Sequence, residues 1–244
     1  GSNAPTVYRY DAANNLEQVT DPKGLSTRYT YNGHGHLIAQ NSPDTGVTQM
    51  RYDSSGNLIA RLDAGEAINT SNGTGRCTVH NYDSLNRVSS TRYFSASNTA
   101  TNAPATCFAN PLSSATLASA AETVAYSYDS TIPTEGGAGG IGRLTRLTDG
   151  SGTTVYVYDR NGRVLKKTQT VAGATNPAQS VSYAYNAVGQ LDSVVTPSGQ
   201  TITYSYGGPS SNSPGRITGL KVNGVDVVKG AVYEPFGPNG GWSW

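Results

Sequence analysis

The sequence predicts an all-β fold, a repetitive antiparallel β-hairpin meander of the β-solenoid kind, and three observations carry that prediction. A Tyr-x-Tyr-Asp motif or close variant recurs eight times, and fourteen of the sixteen tyrosines fall in its two aromatic slots. The second tyrosines at 10, 31 and 52 stand 21 residues apart, as do those at 185 and 206. That length holds about two strands and two turns, and is too short for a strand, a helix and their connections. Finally, Gly or Asn stands two residues before the aliphatic residue that follows each motif, the ranking expected of a left-handed backbone position. A fixed period of this kind means supersecondary units stacked in one direction.

Taken in order, each copy supplies one hairpin. The outgoing strands end at Tyr8-Arg9-Tyr10-Asp11, Tyr29-Thr30-Tyr31-Asn32, Met50-Arg51-Tyr52-Asp53 and His80-Asn81-Tyr82-Asp83. They continue at Tyr126-Ser127-Tyr128-Asp129, Tyr156-Val157-Tyr158-Asp159, Tyr183-Ala184-Tyr185-Asn186 and Tyr204-Ser205-Tyr206-Gly207. Tyr-x-Tyr puts both rings on one face of a strand, because side chains alternate with period two. The next residue is Asp or Asn in seven of eight copies, a type whose side chain caps a turn through its own backbone. Gly35, Gly56, Gly162 and Gly189, with Gly142 and Gly215 after longer loops and Asn14 and Asn86 in the remaining copies, mark the predicted positive-φ slot. The loop around it is a four- or five-residue hairpin loop built on a type I turn. Return strands begin at Leu16, Leu37, Leu58, Val88, Leu144, Val164, Leu191 and Ile217. A second turn, such as Asp21-Pro22-Lys23-Gly24 or Thr196-Pro197-Ser198-Gly199, leads into the next copy.

The expected organisation is a single array over residues 1–244, interrupted at 94–122 by an irregular insertion rich in Ala, Ser, Thr and Asn. Part of that insertion, 111–122, is compatible with one or two helical turns, and a glycine-rich stretch, 135–142, widens the fifth loop. Residues 217–244 form a terminal hairpin closed by Asn223-Gly224, then a module of Tyr233-Glu234-Pro235-Phe236-Gly237-Pro238 and two tryptophans. The chain stops at Trp244 with no closing turn and reads as a piece of a longer array.

Composition narrows the function classes. The chain is 36% hydrophobic and 14% charged, with 29 glycines, a profile that fits a turn-dense β array and argues against helical bundles. A net charge of +1 without a basic cluster gives no electrostatic reason to expect nucleic acid or acidic lipid. No apolar run approaches the roughly 20 residues of a membrane span, so no membrane insertion is expected. Catalytic, cofactor-binding and metal sites are all expected to be absent: Gly-x-Ser-x-Gly, His-Glu-x-x-His and phosphate-binding glycine loops do not occur.

Five groups of residues nevertheless invite chemistry. His34-Gly35-His36 looks like a metal pair but occupies variable loop slots, so exposed turn residues are expected. His80 replaces the first tyrosine of its copy and is expected to pack in the tyrosine stripe. The repeated Asp11, Asp53, Asp83, Asp129 and Asp159 suggest a calcium ladder. Calcium needs several carboxylates in one loop, though, and each turn brings one, so capping is the better account. Cys77 and Cys107 are too few for a zinc set and are read as a disulfide tying the insertion to a strand, with two free thiols as the alternative. The tyrosines form either a structural ladder, the favoured reading, or a stripe that binds glycans by ring stacking.

These residues closely resemble the RHS/YD-repeat family, whose pattern is Tyr-x-Tyr-Asp-x-x-Gly-Arg-Leu followed by a turn ending in Gly. Asp159-Arg160-Asn161-Gly162-Arg163-Val164 and Gly142-Arg143-Leu144 are near-literal copies, and Tyr233-x-Pro-Phe-Gly is similar to the linker between that family's repeat blocks. The resemblance covers the chain outside 94–122. It implies a β-sheet spiralling into a hollow shell that, in bacteria, encloses a C-terminal toxin for secretion and interbacterial competition. Its implied partners are adjacent repeats and that toxin, and its implied location is outside the cell or at the surface of a bacterium. Asp21-Pro22-Lys23-Gly24 matches only the core of the family's Asp-Pro-x-Gly cleavage element and lies in an ordinary repeat turn, so no protease function transfers to it. The expected function is a non-enzymatic wall segment; the alternative is a surface adhesin binding glycans or a partner protein through the tyrosine face.

Overall fold

The computed structural model describes residues 5–63, 74–97, 120, 122–209, 211, 213–234 and 239–243. Every regular element among them is a strand, and none is a helix able to cross a membrane. The chain divides into two compact units, Gly1–Ala125 and Tyr126–Trp244.

The first unit contains β1 (Val7–Tyr10), β2 (Leu16–Thr20), β3 (Ser26–Tyr31), β4 (Leu37–Ser42), β5 (Gly46–Tyr52), β6 (Leu58–Asp63), β7 (Thr74–Tyr82) and β8 (Val88–Ser97). β9 (Glu122–Tyr128) starts in this unit, where its residues 122–125 pair with β8. Each strand pairs antiparallel with the next in sequence, the ordinary result of short connections. Strand β8 continues to Ser97, so the first residues of the expected 94–122 insertion are ladder rather than loop. Residues 98–119 and 121 lie outside the described residues, and with them most of the stretch considered for helical turns.

The second unit contains β10 (Gly136–Gly137), β11 (Leu144–Asp149), β12 (Gly152–Tyr158), β13 (Val164–Val171), β14 (Ala178–Tyr185) and β15 (Leu191–Val195). It continues with β16 (Thr201–Tyr206), β17 (Ile217–Val222), β18 (Val225–Tyr233) and β19 (Asn239–Ser243). Strands β11 to β19 again pair antiparallel in succession. The glycine-rich stretch does more than widen a loop, because β10 pairs in parallel with Val157 and Tyr158 of β12. It lies so close that a Cβ at Gly136, Gly139 or Gly140 would run into the backbone of Ser130 or Asp159. The terminal hairpin turns at Asn223 (φ 51°) and Gly224 (φ 81°), the two positive values of a type I′ turn. Residues 235–238 of the linker module lie outside the described residues.

All eight return strands start on the aliphatic residues named from the sequence. A feature the sequence did not announce accompanies them. The ladder slips by one residue just before the second tyrosine in the hairpins ending at Tyr10, Tyr31, Tyr52, Tyr82, Tyr158, Tyr185 and Tyr206. Tyr52 faces Leu58, for instance, while Arg51 faces Ala60, leaving Ile59 as the extra residue. A bulge of this kind raises local twist, and here it recurs with the period of the sequence.

Among the described residues, buried apolar side chains are few: Ala60, Leu62, Cys77, Val79 and Ala231. The first four form a cluster with Phe94 against it, and the register places them on the face away from the tyrosines, Ala60 opposite Val79 and Leu62 opposite Cys77. Most other strand side chains are half-buried. Cohesion therefore rests on repeated contacts between neighbouring hairpins more than on one central core.

Candidate functional site

The chemistry that repeats along the chain is concentrated in the loops that follow the tyrosine motifs. In the third hairpin, Asp53 Oδ1 accepts from the amides of Ser55 and Asn57, each at 2.9 Å, and its Oδ2 accepts from Asn57 Nδ2 at 3.0 Å. The Gly56 amide donates to the Asp53 carbonyl at 3.2 Å, and the Asp53 amide to the Asn57 carbonyl at 3.0 Å. The same carboxylate capping occurs at Asp11, Asp83 and Asp159. A carboxamide oxygen does the same work at Asn32 and Asn186, which explains why Asn substitutes for Asp in the motif. These bonds hold the carboxyls of Asp11 and Asp53 below the usual range, chiefly through the side-chain donors Asn15 and Asn57. That of Asp83 is lowered first by the Arg87 amide. The aspartates are turn caps, as the sequence reading expected, and each carboxylate is spent on its own loop.

The left-handed slot is where the sequence put it. Asn14, Asn86, Gly35, Gly56, Gly142, Gly162, Gly189 and Gly215 all have positive φ, between 59° and 88°. A second reason for glycine emerges only in three dimensions. At Asn15, His36, Asn57, Arg143, Arg163 and Gln190 the residue just before the aliphatic, here termed the joint residue, reaches toward this slot in the next hairpin. A Cβ on Gly56 would lie 3.4 Å from the His36 ring, one on Gly189 3.4 Å from Arg163, and one on Gly162 would coincide with the Arg143 guanidinium. Asn57 Nδ2 donates to Asn86 Oδ1 at 3.1 Å, and Gln190 Nε2 to the Gly215 carbonyl at 2.9 Å.

The joint residue also covers the second tyrosine of the next hairpin. Arg163 lies 4.5 Å above the Tyr185 ring, Arg216 5.0 Å above Tyr233 and Arg143 5.9 Å above Tyr158, within reach of cation–π attraction. His36 takes this position against Tyr52, with ring centroids 4.7 Å apart. The covered tyrosine returns a bond across the joint. The hydroxyls of Tyr82, Tyr158, Tyr185, Tyr206 and Tyr233 donate to the carbonyls of Leu58, Leu144, Val164, Leu191 and Ile217, at 2.7 to 3.0 Å. Each acceptor is the aliphatic residue that opens the previous return strand. Burial raises the phenol pKa of Tyr82, Tyr158, Tyr185 and Tyr206, so these groups remain protonated donors. Tyr233, assigned to a linker in the sequence reading, plays the same part as the second tyrosines. Its joint partners, Arg216 and Ile217, were visible in the sequence, but its 27-residue spacing from Tyr206 hid it.

The remaining candidates stay apart. His80 is half-buried in β7, with Nδ1 3.1 Å from Thr91 Oγ1, and burial lowers its pKa. His34 and His36 have ring centroids 6.0 Å apart. They face a cavity of about 460 Å³ lined also by Asn32, Tyr52, Asp53, Ser54, Ser55 and Gly56. Among the described residues no three His, Cys, Asp or Glu side chains converge as a metal site. Cys77 is buried, 3% exposed, beside Leu62, and Cys107 lies outside the described residues.

A family model described as RHS Repeat matches residues 10–47, 31–68 and 140–176. No curated protein matches the sequence. Among solved structures, the crystal structure of TcdB2-TccC3-TEV is 15% identical over 96% of this chain, with a TM-score of 0.64. The Photorhabdus luminescens Tc holotoxin pore, carrying a TccC3 mutation, is 15% identical over 96% of this chain, with a TM-score of 0.65. This chain spans 11% of the length of each of those chains, and at that identity the likeness is one of fold.

Proposed function

We propose that this chain, in which three stretches match the RHS Repeat family model, is a non-enzymatic segment of a β-shell wall, in a bacterial protein that encloses a C-terminal toxin for secretion. The observation that carries the reading is the uniformity of the joints. The same capped loop, left-handed slot and tyrosine-to-carbonyl bond recur from hairpin to hairpin, and the polar groups that could do chemistry are spent on holding neighbours together. A wall needs every joint alike, whereas an active site needs one place to differ. The structural neighbours, named as assemblies of TcdB2 and TccC3, support a wall built of such hairpins. In this reading the adjacent repeats and the toxin are the partners, and the protein acts outside the cell or at its surface.

Glycan binding through the tyrosine face draws less support, because five of the second-slot hydroxyls and several ring faces are occupied by neighbouring hairpins. The test of the wall reading is limited proteolysis of the parent protein with its C-terminal segment in place. Protection of that segment, relative to the same segment expressed alone, is the expected result. Equal digestion rates would overturn encapsulation.

A further inference from the structure

The two faces of the sheet in the second unit differ in kind. Cross-strand partners share a face and side chains alternate along each strand, so the register sorts them. Tyr183, Val194 and Ile202 form one row across β14, β15 and β16, and Tyr204, Leu220 and Val228 form another across β16, β17 and β18. Ile202 and Tyr204 stand two residues apart in β16, so both rows lie on the tyrosine face, and all six side chains are half-buried. The opposite face carries Thr168 beside Ser180, Lys166 beside Ser182, and a row of Ser193, Thr203 and Lys221. Among the described strand residues from β13 to β18, the tyrosine face holds one cation and one anion, Lys167 and Asp192. An antiparallel sheet with such an alternation covers its apolar face and wets the other.

We propose that the tyrosine face of the second unit is the face that meets the enclosed polypeptide, and that its occupant is an uncharged, apolar stretch of that polypeptide. The inference rests on the wall reading and names the face on which the partner lies. A face of hydroxyls and lysines suits water, whereas aliphatic rows with balanced charge match a partner that brings neither sign in excess. The first-slot tyrosines supply the second argument. The hydroxyls of Tyr185 and Tyr206 hold the joints, but those of Tyr183 and Tyr204 bond to nothing among the described residues. Met50 and His80 occupy the first slot in other hairpins, so a joint does not require a phenol there. An unengaged phenol on an apolar stripe packs its ring on side chains and offers its hydroxyl to a peptide group. Each residue of an extended chain brings such a group.

The test is photo-cross-linking of the parent protein with its C-terminal segment in place. A benzophenone amino acid replaces Ile202 or Leu220 on the tyrosine face, and Thr203 or Lys221 on the opposite face. Illumination is expected to join the C-terminal segment to positions 202 and 220, and to give nothing above the unilluminated control at 203 and 221. Two positions on each face guard against a replacement that disturbs the fold, and limited proteolysis of every preparation reports whether the segment is still protected. A protected segment that cross-links from 203 or 221 as strongly as from 202 and 220, or from none of the four, overturns the face assignment while the wall reading stands. An unprotected segment in the unmodified parent overturns the wall reading and this inference with it.

Discussion

Replacing Gly162 by alanine separates the two roles of the left-handed slot. Its φ of +80° is one that L-residues enter at a cost of about 1 to 2 kcal/mol. Gly199 has φ of +83°, a matching amide bond to the Thr196 carbonyl at 2.9 Å, and no heavy atom within 4 Å of its Cβ position. Gly199→Ala therefore reports the backbone cost alone. At Gly162 the new methyl would also displace the Arg143 guanidinium. That movement forfeits the contact with Tyr158, worth about 0.5 to 1 kcal/mol. It also strips the Arg143 bonds to the Gly139 and Ile141 carbonyls at 2.9 and 3.2 Å, which together contribute about 1 kcal/mol after solvent competition. Gly162→Ala should thus destabilise by about 1.5 to 2 kcal/mol more than Gly199→Ala. Guanidinium denaturation provides the comparison, with hydrogen exchange at the β12–β13 ladder assigning the loss to this joint, because opening of an array need not be two-state. In the Arg143→Ala background the excess should vanish as a coupling energy of about the same size. Equal costs at Gly162 and Gly199, or additive effects of Gly162→Ala and Arg143→Ala, would refute the joint argument. The same reasoning makes Gly162→Asn costly, although Asn14 and Asn86 hold equivalent slots with positive φ.

Other outcomes follow from the same contacts. Tyr185→Phe keeps the ring under Arg163 but deletes the hydroxyl bond to the Val164 carbonyl, and should cost about 1 kcal/mol; no change in hydrogen exchange at the β13–β14 pairing would count against the ladder. The carboxyls of Asp11, Asp53 and Asp83 are lowered in the fold. Their contribution is therefore complete above the ordinary carboxylate range and fades as pH falls below about 4. Asp53→Asn, which keeps the capping oxygen as Asn32 does, should flatten that acid dependence while leaving stability near pH 7 almost unchanged, read from denaturation midpoints across pH; a steeper dependence would exclude the capping account. If Cys77 and Cys107 form the proposed disulfide, the denatured, unreduced chain will show no reactive thiol, and reduction will lower stability by about 3 to 4 kcal/mol in the loop-entropy model. Two titratable thiols before reduction would rule it out.

The residues that fixed the hairpins are local, and local physics was enough to read them. Tyr-x-Tyr alternation, an Asx cap and a Gly or Asn two residues before an aliphatic determine where each strand ends, how the chain turns and where it resumes. The observed return strands begin on the expected residues for that reason. Two wider features resisted this reading because they depend on what sits opposite. The bulge before each second tyrosine exists only in the paired ladder, and the β10 segment pairs in parallel because its glycines let it lie against β12. The candidate site was divided in the same way. His34 and His36 could be named from the sequence as loop residues, but not the loop they face. Tyr233 escaped the repeat because its spacing changed, although its hydroxyl finds Ile217 as the others find theirs. The sequence by itself determined the repeat unit, since each turn closes within five or so residues through bonds its own side chains make. Only the tertiary structure decided how one unit holds the next. That contact joins residues about 15 to 25 positions apart, through the reach of an Arg, His, Asn or Gln side chain across the inter-hairpin gap, and reach is a property of the packed backbone.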